Sequence, residues 1–320
     1  MPELSTRPEA IKAVPLRHPG RWVAAVVVLA IAAEVVGTIV TAPDLQWDVV
    51  TRYVFQGYIR GGVVLTLELT AISMVIGIGL GVLLAVMRLS PNPVVSSVSW
   101  FYIWFFRGTP VLVQIFFWFN LNSVIHFIGV GIPFTDIGWR VGTNTLIPNV
   151  VAAILGLGLN EAAYMAEIIR AGIISVDHGQ TEAAQALGMG RLMVMRRIVL
   201  PQAMRVIIPP TGNETISMLK TSSLAFIATV TELFTRQEQV SSANFRVIEL
   251  IFVASIWYLF MTSVLTFGQY YIERYFARGA QRELPLTPLQ RFRRILFQGH
   301  APPPEAVADE RPLPLARPNG

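Results

Sequence analysis

Six stretches of this chain, five apolar and one of mixed polarity, each run over about the 20 residues that a helix needs to cross a bilayer, and no other feature restricts its fold so strongly. They are Trp22 to Val40, Gly62 to Met87, Thr109 to Ile128, Leu146 to Ile169, Val206 to Val230 and Glu249 to Ile272. Of the 320 residues 53% are hydrophobic and only 14% are charged, well outside the range of ordinary soluble domains. The expected fold class is all-α, a polytopic membrane helix bundle held together by helix packing. There is no cysteine, which excludes disulfides and thiolate metal sites. His18, His126, His178 and His300 are too far apart in sequence to suggest a metal-ligand cluster, so no metal is expected.

The first span follows Arg17 and Arg21, as the core of a signal peptide would. It is longer than such a core, and Pro43 and Asp44 follow it at once, so it is read as a retained helix. In the second span Gly77, Gly79 and Gly81 let helices approach closely. The apolar run from Val94 to Ile128 is too long for one crossing and is interrupted at Arg107-Gly108-Thr109-Pro110. Split there, it predicts an interfacial aromatic helix from Val94 to Phe106 and a crossing from Thr109 to Ile128, followed by a polar loop through Asp136 and Arg140. The net charge of +5 is not read as a nucleic-acid surface, because the charges fall at the edges of apolar segments. Seventeen Lys and Arg residues lie on one side of the six crossings and five on the other, which predicts cytoplasmic termini and a cytoplasmic loop from Ser175 to Arg205. The C-terminal region is rich in Arg and Pro and too poor in apolar residues to form a core, so disorder is expected there.

Two groups of residues carry functional expectations. The loop Gly179-Gln180-Thr181-Glu182-Ala183-Ala184-Gln185-Ala186-Leu187-Gly188 and its continuation to Pro201 read as two short helices joined at a glycine, the second ending near Pro201. The other group is polar and lies inside the spans. Glu161 and Lys220 are predicted to lie mid-span, where a charge is costly unless it is paired or faces a cavity, with Asn160, Asn213, Glu214, Thr221 and Ser222 nearby in sequence. They either line a path for the α-carboxylate and α-amino groups of a substrate or form a structural ion pair. Arg107, beside a helix break, is left outside this set, because anchoring at the membrane surface explains it equally well.

Glu182-Ala183-Ala184, then Gly188, then Ile198, Leu200 and Pro201 match at every fixed position the EAA signature of permeases of binding-protein-dependent ABC importers. Further residues resemble the polar amino acid branch: Arg107 to Pro110 with Val113-Gln114, Ala163-Tyr164 with Ala166-Glu167-Ile168 and Arg170, Pro209 to Asn213, and Asn244-Phe245-Arg246. The resemblance runs from Gly61 to Tyr275 and implies the fold of an ABC importer type I transmembrane domain. It also implies docking of a separate ATPase subunit on Glu182, Ala183, Ala184, Gly188, Ile198, Leu200 and Pro201. ATP is then bound by that subunit, and this chain is a transport subunit, not an enzyme, with no cofactor of its own. The absence of a G-x-x-x-x-G-K-[ST] phosphate loop agrees with this. The other partners implied are an extracytoplasmic solute-binding protein, a second permease copy or paralogue and membrane lipid, with no nucleic acid.

On this basis the chain is divided into a cytoplasmic segment (1–21), an additional helix with an outer loop (22–60), the transport core (61–275, coupling loop 175–205) and a basic, Pro-rich cytoplasmic tail (276–320). It departs from the family in that additional helix and at Thr221-Ser222-Ser223, where many relatives carry Asp-Thr-Ser after the lysine. The expected function is ATP-driven import of polar amino acids across the cytoplasmic membrane. Alternatives are import of another small polar solute such as an opine, and a secondary transporter working without ATP. The latter would be expected to show internal repeats or a dense intramembrane proton relay, and the sequence has neither.

Overall fold

A computed structural model describes residues 19–131 and 138–277. The first 18 residues, the centre of the loop through Asp136 and the tail from residue 278 lie outside the described residues. Residues 19–42 belong to one compact unit and 43–277 to another. Helix α1 (Pro19–Val40) is apolar on all sides, with Glu34 its one acidic residue, and is long and apolar enough to cross a membrane.

The second unit begins with the short amphipathic helix α2 (Trp47–Val54), which buries Val50, and continues into α3 (Gly57–Arg88). The bundle is organised around the pairing of α3 with α7 (Asn149–Ile174), which run in the same direction. The contact is built from small residues. A Cβ placed on Gly77 would lie 2.5 Å from Glu161 Cγ, and one on Gly81 would lie 2.6 Å from Met165 Cβ, so only glycine permits this approach. Gly79 meets nothing within 4 Å and lies off the seam. Leu69, Ile115, Leu157, Met165 and Met218 form the centre of the largest buried cluster around this pair.

The aromatic segment corrects the expectation of an interfacial helix. Helix α4 (Pro93–Gly108) starts with proline in its first turn and with Asn92 Oδ1 accepting from Val94 N at 2.9 Å. It then climbs through the bundle: Ser99 Oγ donates to Leu84 O at 2.7 Å, Tyr102 Oη to Leu159 O at 2.9 Å, and Asn160 Nδ2 to Phe106 O at 2.8 Å. Its end is therefore level with the middle of α7. Trp100, Phe101, Trp104 and Phe105 are exposed on the outer face, so the aromatic pattern marked a side of the helix and not a depth. Helix α5 (Val111–Phe119) carries the chain onward, with Ile115 against Gly156 of α7. Together α4 and α5 make one interrupted crossing broken near its centre.

The crossing expected to run from Thr109 to Ile128 thus ends early, at Phe119. After a turn of 3-10 helix (Leu121–Ser123) comes an antiparallel hairpin, β1 (Phe127–Gly131) with β2 (Gly138–Gly142), pairing Phe127 with Gly142 and Gly131 with Gly138. These strands stand where a polar loop was expected and are a small exception to an otherwise helical fold. They read as the end of an apolar run because they are short and flanked by glycine. Helix α6 (Thr143–Leu146) leads into α7.

Beyond α7 lie α8 (His178–Ala186), α9 (Arg191–Val194), a π-helical segment (Met195–Val199) and α10 (Leu200–Thr221). The chain does not stop at Pro201 as expected. That proline is the second residue of α10, which follows directly on the π-helical segment, so the chain stays helical through it. A 3-10 helix (Ser222–Ala228), α11 (Leu233–Asn244) and the long α12 (Val247–Ala277) complete the unit. Among the described helices α1, α3, α7 and α12 are individually long and apolar enough to cross a membrane. The other two expected crossings correspond to the α4–α5 pair and to the more polar α10 with its 3-10 extension.

Glu232 shows what a structural buried carboxylate looks like here. It is fully buried and accepts from Phe234 N (2.9 Å), Thr235 N (2.8 Å), Thr235 Oγ1 (3.0 Å) and Tyr258 Oη (3.0 Å), capping α11 and tying it to α12.

Candidate functional site

The break between α4 and α5 opens onto a cavity of about 610 Å³. Arg107, Gly108, Thr109 and Pro110 form one wall, and α7 supplies Asn160, Glu161 and Tyr164. Helix α10 supplies Glu214, Ser217, Met218 and Thr221, whose spacing of three and four residues puts them on one helical face. The volume falls within the range of about 300–1,000 Å³ usual for small-molecule sites. The break itself is stabilised from within: the two N–H groups of Gln114 Nε2 are shared among Thr109 Oγ1 (2.8 Å), Phe106 O (2.9 Å) and Thr109 O (3.1 Å). With Asn160 it satisfies carbonyl groups that the interrupted helix leaves free.

Glu161 is only 4% exposed, and its Oε1 has no hydrogen-bond partner, in contrast to the saturated Glu232. A buried carboxylate oxygen without a donor is costly, and such a group at a cavity wall is suited to a ligand that brings the donor. Glu214 faces the same space closely enough for the two carboxylates to repel. Arg107 lies within electrostatic reach of Glu214, with its guanidinium over the Tyr164 ring at 5.1 Å.

Of the residues singled out in the sequence, the cavity gathers Asn160, Glu161, Glu214 and Thr221 and leaves out the other three. Asn213 faces α12, where its Oδ1 accepts from Gln269 Nε2 at 3.0 Å. Ser222 is fully buried and donates to Leu219 O at 2.7 Å. Lys220 is exposed, off the cavity-lining face of α10, and makes no ion pair with Glu161. Arg107, which sequence reasoning set aside, belongs to the wall. The signal that could have found it is the position of the Gly-Thr-Pro break near the centre of an overlong apolar run.

The loop between α7 and α10 forms the second feature. Asp177 Oδ1 caps α8 through Gly179 N at 2.6 Å. At the other end Gly188 has φ +77°, with Gly188 N donating to Gln185 O (2.9 Å) and Met189 N to Ala184 O (3.1 Å), the paired bonds of a Schellman cap. Ala184 packs with Val194 and Val199, with Ile198 against them, in a small core that fixes α8 on α9. Glu182, Ala183, Gly188, Leu200 and Pro201 face outward. On either side of the turn Leu187 and Leu192 are 83% and 82% exposed, and Leu192 lies with Arg191, Arg196 and Arg197. Exposed leucine beside positive charge is a common feature of protein contacts.

Residues 77–278 match the family described as binding-protein-dependent transport system inner membrane component. The chain belongs to that family. This permease is 47% identical over 287 residues to the arginine transport system permease protein ArgU of Corynebacterium glutamicum, covering 89% of each chain. It is 40% identical over 205 residues to the nopaline transport system permease protein NocM of Agrobacterium fabrum, covering 63% of this chain and 80% of the relative. Its fold is similar to the crystal structure of an amino acid ABC transporter with histidines, with a TM-score of 0.59 and 33% identity, covering 68% of this chain and 94% of that one. The permease is therefore an amino-acid transport subunit of an ABC transporter, an inner membrane component with the fold of an importer transmembrane domain. The match to ArgU extends well beyond the family region, so what surrounds the core is also shared with a relative.

Proposed function

We propose that this permease imports cationic amino acids, with the cavity between α4, α5, α7 and α10 as its substrate site. The observation that carries the reading is the make-up of the wall: two carboxyl groups, Glu161 and Glu214, against one guanidinium, Arg107. A zwitterionic amino acid balances one carboxylate and the guanidinium, which leaves one carboxylate for a second positive group. At 4 Å and an effective dielectric constant near 20 a unit-charge pair is worth about 4 kcal/mol, so an uncompensated Glu161 discriminates strongly against neutral side chains. The name of the arginine-transporting relative supports the same class.

ATP is hydrolysed by a separate subunit seated on the exposed face of α8 and α9, reached through Glu182, Ala183, Gly188, Leu200 and Pro201, while Ala184 and Ile198 hold that face in shape. An extracytoplasmic solute-binding protein delivers substrate at the hairpin end, a second permease copy or paralogue completes the path, and both termini are cytoplasmic. Residues 61–275 act as the transport core. The test is uptake of labelled arginine into proteoliposomes holding the permease, its ATPase and its binding protein. Arginine, lysine and ornithine should each compete with the label, and glutamine and glutamate should not. Equal competition by glutamine would overturn the assignment of substrate class, and equal uptake without ATP would overturn the importer reading.

A further inference from the structure

Helix α10 connects the coupling loop to the cavity, and it contains a weak point between the two. It leaves the π-helical segment at Val199 and ends with Glu214, Ser217, Met218 and Thr221 in the cavity wall. Between them stand Pro209 and Pro210 in the helix interior. Neither proline has an N–H, so the carbonyls four residues earlier, those of Arg205 and Val206, lack their helical donors, and the helix is free to bend there. A lever with a soft joint absorbs displacement instead of delivering it.

One side chain of α12 spans this joint. The two N–H groups of Gln269 Nε2 are shared among three acceptors, Glu273 Oε1 at 2.6 Å, Asn213 Oδ1 at 3.0 Å and Pro209 O at 3.3 Å. Its acceptors lie on both sides of Pro210, so a single amide grips α10 before and after the joint while Glu273 holds the amide from α12. The approach depends on Gly212, where a Cβ would stand 2.8 Å from Gln269 Cγ and Cδ. Asn213, which does not reach the cavity, has its polar group committed here.

We propose that Gln269 is a positioning residue for transport: its amide clamps the proline joint of α10 to α12, so that movement of the α8–α9 loop reaches the Glu214–Thr221 face of the cavity. The proposal rests on the permease reading, and what matters is the donor, not the shape of the side chain. Gln269→Glu is nearly isosteric but removes the N–H donors and faces Glu273 with a second acid. Gln269→Lys changes the shape but restores a donor to Pro209 O and Asn213 Oδ1 and pairs with Glu273.

The experiment measures ATP hydrolysed and labelled amino acid taken up by the complete transporter in proteoliposomes, for the wild type and both variants. ATP-dependent uptake by the wild type establishes the permease reading independently of the variants. Gln269→Glu should then deliver about fivefold less substrate per ATP, the scale of a lost hydrogen bond or two, while Gln269→Lys stays within about twofold of wild type. A wild-type ratio for Gln269→Glu, or the same loss in both variants, overturns the proposal, the latter because it marks a packing role. If Gln269→Glu does not assemble with the ATPase, Asn213→Leu replaces it, with the same loss expected and a wild-type ratio overturning the idea.

Discussion

Replacing Gly77 by alanine should weaken substrate binding without substituting any residue of the cavity wall. The new Cβ would lie 2.5 Å from Glu161 Cγ and 2.8 Å from Glu161 Cβ, whereas carbon atoms rest at about 3.5–4.0 Å. Glu161 must therefore retreat by about 1 Å, or α3 and α7 must part. Overpacking of this kind costs about 1–3 kcal/mol. If the cost falls on the loaded site, where Glu161 must hold one position, KM rises about 5- to 140-fold, since about 1.4 kcal/mol is tenfold in affinity. Gly79→Ala is the control, because a Cβ there meets nothing within 4 Å and the helix-propensity change is the same. The assay is the concentration dependence of ATP-driven uptake in proteoliposomes for both variants. Equal KM values for Gly77→Ala and Gly79→Ala would refute the argument that the seam holds Glu161 in place.

Three further outcomes follow from the same structure. Gly188→Asp forces a side chain into a left-handed conformation at a cost of about 1–2 kcal/mol and puts a charge at the exposed turn; the protein should insert in the membrane while ATP hydrolysis is uncoupled from transport, and normal uptake would count against the docking face. Glu161→Gln keeps the shape of the wall and removes the charge that repels Glu214, so competition by arginine should fall at least about tenfold relative to glutamine. Unchanged discrimination in that variant would mean the cavity does not read substrate charge. Glu232→Ala strands the Phe234 and Thr235 amides and the Tyr258 hydroxyl, which should destabilise the fold by about 2–5 kcal/mol. A thermal-unfolding midpoint equal to wild type in detergent would contradict that account.

Part of the helix-packing seam and the α8–α9 loop were legible in the sequence because both are written in local chemistry. Of the three glycines read as a close approach, Gly77 and Gly81 lie on the seam and Gly79 does not, while alanines followed by Gly188 mark two short helices and the turn between them. Depth was not legible. Aromatic residues from Trp100 to Phe105 suggested a membrane surface, yet on its other side their helix packs against α3 through Ser99 and against the middle of α7 through Tyr102 and Ile103. That error hid Arg107, since a break placed at the surface has no reason to meet Glu214. Proximity in sequence also misled: Asn213 and Lys220 adjoin Glu214 and Thr221 but point elsewhere, as the three-and-four spacing on α10 dictates. Gln269 carried no sequence signal, because its partners come from another helix.

The interrupted crossing has one more consequence, which concerns backbone polarity. Helix α4 ends, and α5 begins, at the wall of the same cavity, so the negative pole of one peptide-dipole array and the positive pole of the other both lie at that wall. An α-amino acid presents the complementary pair, an ammonium and a carboxylate on one carbon. This field belongs to the main chain and survives replacement of any side chain in the wall. Variation at Glu161, Glu214 or Arg107 should therefore change which amino acid is accepted sooner than it creates a carrier for solutes without an amino-acid head. Uptake of an arginine methyl ester as fast as arginine would show that these dipoles contribute nothing to recognition of the carboxylate.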